Sequence, residues 1–186
     1  MNLNIPNTLT LIRIAFIPVM IVIFYLPYDW ARPATAWLYG VAAITDWFDG
    51  YLARKLEQQS ALGAFLDPVA DKLIVAVALI MLSAAHPEMT IVLSTIIIIG
   101  REITISALRE WMAELGMSSK VAVSMMGKIK TTVQMFAIGF LLHRDDFIGM
   151  PTHEIGVILL VIAALLTVIS MVVYLKAAWS EMKVDM

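Results

Sequence analysis

Residues Asp46 to Asp71 read DWFDGYLARKLEQQSALGAFLDPVAD, and this stretch places four aspartates close together in a mostly apolar chain. Asp46 and Asp49 are three residues apart, and Asp67 and Asp71 are four apart. On helices, each spacing puts both carboxylates on one face. Carboxylates near lipid are costly unless cations compensate them. The stretch therefore predicts a cation site built on two helix ends.

The ligand chemistry of this site favours hard cations. The chain has no Cys, and carboxylates offer only oxygen ligands, which suit Mg²⁺, Mn²⁺ or Ca²⁺ rather than Zn²⁺ or Cu²⁺. Four carboxylates are enough to bridge two ions, and a two-metal clamp supports in-line displacement at phosphorus. A plainer interpretation makes Asp67, which precedes Pro68, a helix N-cap and pairs Asp46 with an arginine. It explains one or two of the acids but not all four.

The composition is that of an integral membrane protein. Of the 186 residues, 61% are hydrophobic and only 15% are charged, and the mean hydropathy is +0.86. A soluble domain has roughly 45–50% apolar and about 25% charged residues. Because membrane spans use most of the length, we expect residues 1–186 to form a single domain, with membrane lipids around it and no nucleic-acid partner. We expect the first apolar run to be an anchor rather than a cleaved signal.

The hydropathy pattern predicts an all-α, polytopic membrane protein with six transmembrane helices. The expected spans are Thr8–Leu26, Ala34–Arg54, Leu62–Ala85, Met89–Leu108, Val121–Leu142 and Ile155–Leu175. A loop is expected from Arg109 to Lys120, and a short polar connection from Lys55 to Ser60. Only the sixth of these spans has no charged residue at either end.

The charged residues alternate between span starts and span ends. Arg13 lies near the start of span one, the acids lie where spans two and three meet, Arg101 lies towards the end of span four, and Lys128 and Lys130 lie at the start of span five. Antiparallel crossings bring all these positions to the same side of the membrane. We therefore expect the helices to surround a polar cavity on that side.

The distribution of basic residues orients this cavity. Loops and ends on its side carry six of them, whereas the opposite loops carry only Arg32 and Arg144. The positive-inside rule then predicts that the cavity faces the cytoplasm and that both termini lie there.

Small residues lie between the aspartate pairs. Gly50 follows Asp49 directly, and Gly63 lies four residues before Asp67. Such residues often let membrane helices approach each other closely, which is the plainer interpretation. Beside two metal ions, however, a surface without side chains would admit a nucleotide or a diphosphate.

Together these residues spell D-x2-D-G-x2-A-R-x8-G-x3-D-x3-D without a departure, and this pattern resembles the signature of the CDP-alcohol phosphatidyltransferase family. The resemblance implies a homodimeric, helical enzyme of the bacterial cytoplasmic membrane. Such an enzyme transfers a phosphatidyl group from a CDP-linked lipid such as CDP-diacylglycerol to an alcohol and releases CMP.

The same resemblance implies roles for individual residues. The four aspartates, Asp46, Asp49, Asp67 and Asp71, would bind two Mg²⁺ or Mn²⁺ ions, and Asp71 would also be the general base for the acceptor hydroxyl. The cytidine diphosphate pocket would be formed by Gly50, Ala53, Arg54 and Gly63.

Basic residues offer a clue to the acceptor alcohol. Arg101 and Arg109 are eight residues apart on roughly one helix face, and Lys128 and Lys130 follow on the next span. Fixed cations opposite the aspartates suggest a second anionic substrate, although snorkelling of the lysines and headgroup contact by Arg109 are alternatives. The strings GREITISALRE and GKIKTTVQ around them resemble the branch of the family that makes phosphatidylglycerophosphate. That implies sn-glycerol 3-phosphate as the acceptor.

The opening string IPNTLTLIR resembles the same branch. Asn7, Thr10 and Arg13 recur every three residues on roughly one face, which suggests the rim of the nucleotide pocket. Helix capping by Asn7 or Thr8 is the alternative.

Two other functions remain open from the sequence. The same chemistry could act on another acceptor, such as serine, inositol phosphate or a second phospholipid. A cation transporter could also use the aspartates as its binding site, but it would require polar residues that continue to the far face, and the outer halves of the spans carry no charge.

Overall fold

The computed structural model describes residues 5–55, 61–114, 125–147 and 149–182. Within these ranges, the side-chain surroundings of residues 5–6, 46–55, 61–62, 64, 125–128 and 177–182 lie outside the description. Six α-helices account for nearly all of the described residues. They are α1 (Ile5–Phe24), α2 (Ala31–Lys55), α3 (Ala61–Ala85), α4 (Met89–Glu114), α5 (Met125–His143) and α6 (Thr152–Met182).

The predicted all-α architecture with six helices is confirmed, but one predicted boundary is wrong. The fourth helix does not give way to a loop at Arg109 and continues through Glu114. The sequence from Arg109 to Glu114 contains neither Gly nor Pro, so nothing in it interrupts a helix that is already formed. The predicted connection at 56–60 and the predicted start of the fifth span at Val121 lie outside the described residues.

Three of the described helices are long and apolar enough to cross a membrane. Their apolar segments are Asn7–Phe24, Met89–Glu114 and Thr152–Lys176, with mean hydropathies of 2.0, 1.9 and 3.0. Many large apolar side chains on the outside of the bundle are exposed, including Trp37, Phe65 and Ile103. This surface suits lipid contact, so the chain is an all-helical protein of membrane character.

The helices contact both their neighbours in sequence and more distant helices. α1 packs on α2 and α3, α4 packs on α6, and α5 packs on both α2 and α6. The core between them is built from fully buried side chains of Met20, Leu79, Ile98, Leu141 and Leu160. This apolar core lies between the two ends of the bundle.

The two ends of the bundle differ in chemistry. The end that holds Asp67 and Asp71, near the start of α3, is called the acid end below. The opposite end holds the connections between α1 and α2, between α3 and α4, and between α5 and α6, and it is called the far end.

A glycine sets the distance between α5 and α6. A Cβ added to Gly156 would lie 2.7 Å from Leu141 Cγ and 3.2 Å from the Leu141 backbone nitrogen. A real Cβ does not tolerate the first distance, and the backbone atom cannot rotate away as a side-chain tip can. The close contact between these two helices therefore requires glycine at this position.

We predict that Gly156→Ala lowers the melting temperature of the detergent-solubilised protein. Overpacking of this kind costs about 1–3 kcal/mol, which corresponds to several degrees for a chain of this size. Gly139→Ala is the matched control, because a Cβ at Gly139 meets nothing within 4 Å, and Ala favours a helix over Gly. Equal melting temperatures for the wild type and Gly156→Ala would contradict the interpretation.

Candidate active site

The aspartates of α3 lie inside a helix rather than at its start. Because α3 begins at Ala61, Asp67 and Pro68 lie almost two turns into it. The interpretation of Asp67 as an N-cap is therefore wrong. Asp67 and Asp71 are half-buried and one turn apart, and Thr10 Oγ1 donates a hydrogen bond of 2.5 Å to Asp67 Oδ1. This contact joins α1 to α3 at the acid end.

The polar residues of α1 form one buried stripe. Asn7, Thr10 and Arg13 are 2%, 0% and 1% exposed. Since α1 already includes Ile5, Asn7 and Thr8 lie within the helix, and the capping interpretation is wrong for both. Burial of three polar side chains in succession has a cost that hydrogen bonds must offset. The stripe is therefore directed at polar groups of neighbouring helices, of which Asp67 is one.

Arg13 and Asp71 share a small cavity. Its walls come from α1, α2, α3 and α5, and include Tyr39, Ala43 and Met135. The Tyr39 hydroxyl is buried and has no hydrogen-bond partner among the described residues. Tyr39 is not among the predicted site residues, although the sequence carries a signal for it: Tyr39 precedes Asp46 by seven residues, or two helical turns, on the same face of α2.

A larger apolar groove of about 550 Å³ runs between α2 and α5. It shares Tyr39, Ala43 and Met135 with the small cavity, so the two spaces have a common wall. Trp37 and Phe136 lie along the groove, which extends towards the far end as far as His143 and Phe147. The arrangement places an apolar channel beside a polar pocket.

Part of the predicted site lies outside what the structure describes. Helix α2 continues to Lys55 and so carries the backbone of five predicted residues, but their side-chain surroundings are not described. These residues are Asp46, Asp49, Gly50, Ala53 and Arg54. The side chain of Lys128, on α5, is not described either, whereas Gly63 is buried on α3. Among the described residues, no group of three or more acids and histidines is arranged to hold a metal ion.

The predicted cations of α4 and α5 meet around a carboxylate. Lys130 Nζ lies 2.6 Å from Glu102 Oε1, and Arg101 Nη1 lies 3.1 Å from the same oxygen. Lys130 is only 3% exposed. A lysine buried this deeply needs a partner for its charge, and Glu102 supplies one.

Arg101 and Arg109 are joined through α6. The two guanidinium groups lie 5.6 Å and 5.4 Å from the centre of the Tyr174 ring. Arg109 Nη2 also donates to the Tyr174 hydroxyl at 3.3 Å, and Arg101 Nη2 donates to Ser170 Oγ at 3.3 Å. The predicted shared face of the two arginines is thus real, and uncharged side chains of α6, Tyr174 and Ser170, organise it.

A chain of hydrogen bonds connects this cation cluster to α3, the helix that carries Asp67 and Asp71. Lys72, the neighbour of Asp71, donates to Ser106 Oγ at 2.5 Å, and Ser106 Oγ donates to the backbone oxygen of Glu102 at 2.5 Å. The described acids and cations therefore lie on facing helices at the same end of the bundle.

Three residues that build this cluster are not predicted from the sequence pattern: Glu102, Ser106 and Tyr174. A signal existed only for Glu102, an acid that follows Arg101 directly at the end of a long apolar stretch, where an unpaired charge would be costly. Ser106 and Tyr174 look like ordinary helix residues until the helices are packed together.

The sequence of this chain has known relatives. Residues 3–172 match the model of the CDP-alcohol phosphatidyltransferase family, so the chain belongs to that family. Among its relatives are CDP-diacylglycerol–glycerol-3-phosphate 3-phosphatidyltransferases from Salmonella choleraesuis (strain SC-B67), 49% identical, and from Escherichia coli (strain K12), 48% identical. Each alignment covers 98% of this chain and 98% of the relative.

We predict that Glu102→Gln destabilises the protein by about 3 kcal/mol, because it leaves the charge of the buried Lys130 without compensation. A thermal melt of the purified protein in detergent measures the change. Glu110→Gln is the matched control, since Glu110 is exposed on the same helix. If Glu102→Gln melts like Glu110→Gln, the Lys130 charge is compensated elsewhere.

Proposed function

We propose that this protein transfers the phosphatidyl group of CDP-diacylglycerol to sn-glycerol 3-phosphate, yielding phosphatidylglycerophosphate and CMP. Family membership supports the transfer. The names of relatives that align over nearly the full chain support both substrates.

One observation within the molecule carries the choice of acceptor. Arg101, Arg109 and Lys130 converge at the acid end, on helices that face the aspartates of α3. Among the acids whose side chains the structure describes, Glu102 alone forms ion pairs with these cations, and it offsets one of the three positive charges. The excess suits an acceptor with a phosphate group, which guanidinium and ammonium groups bind through charge-assisted hydrogen bonds. Serine has no phosphate, so this cluster gives it no advantage.

The aspartates suit divalent ions. Asp67 and Asp71 project from one face of α3, both reachable from solvent, and offer only carboxylate oxygens. We infer that Asp46 and Asp49 complete the ligand set from α2, and that the set holds two Mg²⁺ or Mn²⁺ ions. When bound, such ions neutralise the diphosphate and stabilise the charge on departing CMP.

The chain's own residues supply the remaining chemistry. Asp71 accepts the proton of the primary hydroxyl of glycerol 3-phosphate as that oxygen attacks the lipid-linked phosphorus and CMP leaves. Arg101, Arg109, Lys128 and Lys130 hold the acceptor phosphate. Thr10 fixes the carboxylate of Asp67 through the hydrogen bond described above.

The CDP-lipid is held from two sides. Its nucleotide contacts Gly50, Ala53, Arg54 and Gly63, with the buried stripe of Asn7, Thr10 and Arg13 alongside. Its acyl chains lie in the apolar groove between α2 and α5, whose shared wall leads to the cavity beside Asp71. All six helices cross the bacterial cytoplasmic membrane as a single domain, with the acid end and both termini in the cytoplasm. The enzyme acts as a homodimer.

We predict that Asp71→Asn reduces CMP release at least about 100-fold, because the amide cannot accept the proton of the acceptor hydroxyl. The assay uses purified protein, CDP-diacylglycerol and glycerol 3-phosphate, and a thermal melt shows that the variant remains folded. Asp146→Asn, which changes an exposed carboxylate at the far end, is the control and should retain full activity. Near-normal turnover by folded Asp71→Asn would refute the assigned role.

We also predict that glycerol 3-phosphate is the preferred alcohol in a panel that includes serine and inositol phosphate, and that Arg109→Gln raises its KM about tenfold. One lost hydrogen bond to a charged group accounts for a change of this size. Because Arg109 is exposed, the variant should fold normally. CMP release is the readout for both measurements.

Lys176→Gln is the control for charge, because it removes another exposed cation, from α6. It should leave the KM for glycerol 3-phosphate unchanged. Faster CMP release by the wild type with serine would contradict the choice of a phosphate-bearing acceptor. Equal KM values for glycerol 3-phosphate in Arg109→Gln and Lys176→Gln would contradict the binding of its phosphate by Arg109.

A further inference from the structure

Four nitrogen-bearing side chains converge at the far end of the bundle. They come from four separate segments: Arg32 from the start of α2, His86 from the connection after α3, Arg144 from the residue after α5, and His153 from the start of α6. The rings of His86 and His153 lie 5.2 Å apart, centre to centre. Arg32 and Arg144 lie close enough to act on the charge of His86 and of each other. These four residues are called the far-end cluster.

The far-end cluster contains both of the basic residues, Arg32 and Arg144, that the sequence predicts in the loops at this end. Arg32 and Arg144 are more than a hundred positions apart in sequence, yet the fold brings them together. Two like charges at one spot repel each other unless something negative lies between them. Burial and the positive groups around it, His153, Arg32 and Arg144, lower the pKa of His86, so this end of the protein resists a further positive charge.

Two nitrogen atoms of the cluster are buried and form no hydrogen bond with described residues. Arg32 Nη1 and His86 Nε2 are shielded from solvent and have no hydrogen-bond partner among the described residues. The Arg32 guanidinium carbon lies 3.7 Å from the centre of the Phe24 ring, so the ring covers one face and leaves the edge of the group to bind. Buried donors without partners are costly, which indicates that a ligand satisfies them.

Nearby carboxylates do not fill this need. Glu88 is paired with His153 at 3.1 Å. Asp145 influences Arg32 electrostatically but is exposed. Within the described part of the chain, neither Arg32 nor Arg144 forms an ion pair with a carboxylate.

The backbone at Arg144 adds an independent observation. Arg144, the residue after α5, has a φ of 68°, in the left-handed region. Its amide donates a hydrogen bond to the Phe140 carbonyl. Glycine or asparagine ordinarily fills such a position, because a larger side chain is strained there. An arginine in this conformation suggests that its side chain is needed where it lies.

Aromatic residues place the far-end cluster at the depth of lipid headgroups. Tyr25, Tyr28 and Trp30 are 60%, 58% and 55% exposed around it, and the rings of Tyr28 and Trp30 are stacked. Exposed Tyr and Trp side chains are characteristic of the boundary between hydrocarbon and headgroups. The anions available at that depth are the phosphates of phospholipids.

We propose that the far-end cluster is a phosphate-binding site, occupied by a phospholipid headgroup on the side of the membrane opposite the catalytic aspartates. The free edge of the Arg32 guanidinium and the Arg144 guanidinium bind the phosphate oxygens, and His86 donates from Nε2. The forked geometry of a guanidinium matches two phosphate oxygens at once. This site takes no part in phosphatidyl transfer.

The test is a thermal melt of the full-length protein in detergent, with and without added lipid. Dioleoyl phosphatidic acid supplies the phosphate, and dioleoylglycerol has the same chains without it. We expect phosphatidic acid, but not dioleoylglycerol, to raise the melting temperature of the wild type by several degrees. The double variant Arg32→Gln/Arg144→Gln should lose most of this shift, and Lys176→Gln should retain it. An equal shift in all three proteins overturns the proposal, because the lipid then binds elsewhere.

A second arm distinguishes the source of the phosphate. Inorganic phosphate is compared with chloride at equal ionic strength. A shift that appears with inorganic phosphate and is lost in the double variant supports a phosphate site that also accepts the free ion. A shift with lipid alone supports the headgroup. If neither source shifts the wild type, the proposal is wrong.

Arg144→Gln alone covers the case in which the double variant does not fold, since the Arg144 side chain is exposed. Native mass spectrometry then counts the phosphatidic acid molecules retained by each protein. One fewer in Arg144→Gln than in Lys176→Gln supports the site, and equal numbers overturn it. CMP release should be the same in Arg144→Gln and in the wild type, so this test and the test of phosphatidyl transfer fail independently.

Discussion

The contact between Lys130 and Glu102 is the interaction on which the acid end depends. An ammonium group that is only 3% exposed, within a bundle whose outer surface is apolar, is stable only when its charge is compensated. Glu102 provides that compensation from α4 and binds Arg101 with the same oxygen. One carboxylate thus fixes the relative position of two helices and the spacing of two cations. This ion pair and the apolar contacts of the core together restrict the rotation of α4 and α5.

The polar groups at this end are distributed by helix. α1 contributes a buried polar stripe, α3 contributes aspartates, α4 and α5 contribute cations, and α6 contributes an aromatic ring and a hydroxyl. Among the described side chains at the acid end, the aspartates come from α3 and the cations Arg101, Arg109 and Lys130 come from α4 and α5, so the two sets lie on different helices. Hydrogen bonds between helices, Thr10 to Asp67 and Lys72 to Ser106, connect these parts. Such contacts satisfy polar side chains that are partly or fully removed from solvent by the packing of the helices.

Much of this arrangement could be predicted from the sequence, and most of the exceptions depend on contacts between helices. Six helices, the shared face of Arg101 and Arg109, and the buried stripe of α1 follow from periodicity, which is a local property of the chain. Glu102, Tyr174 and Tyr39 were missed because their importance comes from partners on other helices. Lys130 is 28 positions from Glu102, and Tyr174 is 65 positions from Arg109. The predicted end of the fourth helix near Arg109 is wrong for a local reason, because a charged residue does not end a helix when no Gly or Pro lies in the segment up to Glu114. The roles of Asp46 and Asp49 remain predictions.

The Tyr174 ring has a consequence for how this site can change. Arg101 and Arg109 are separated by about 12 Å along α4, and one ring on α6 contacts both guanidinium groups. Because both guanidinium groups contact the Tyr174 ring, their positions depend on the rotation of α6. Substitutions that turn or slide α6 would therefore alter the spacing of the cations without touching a charged residue. The size of anion that fits between them is set in part by α6, which contacts the two arginines through the uncharged side chains of Tyr174 and Ser170.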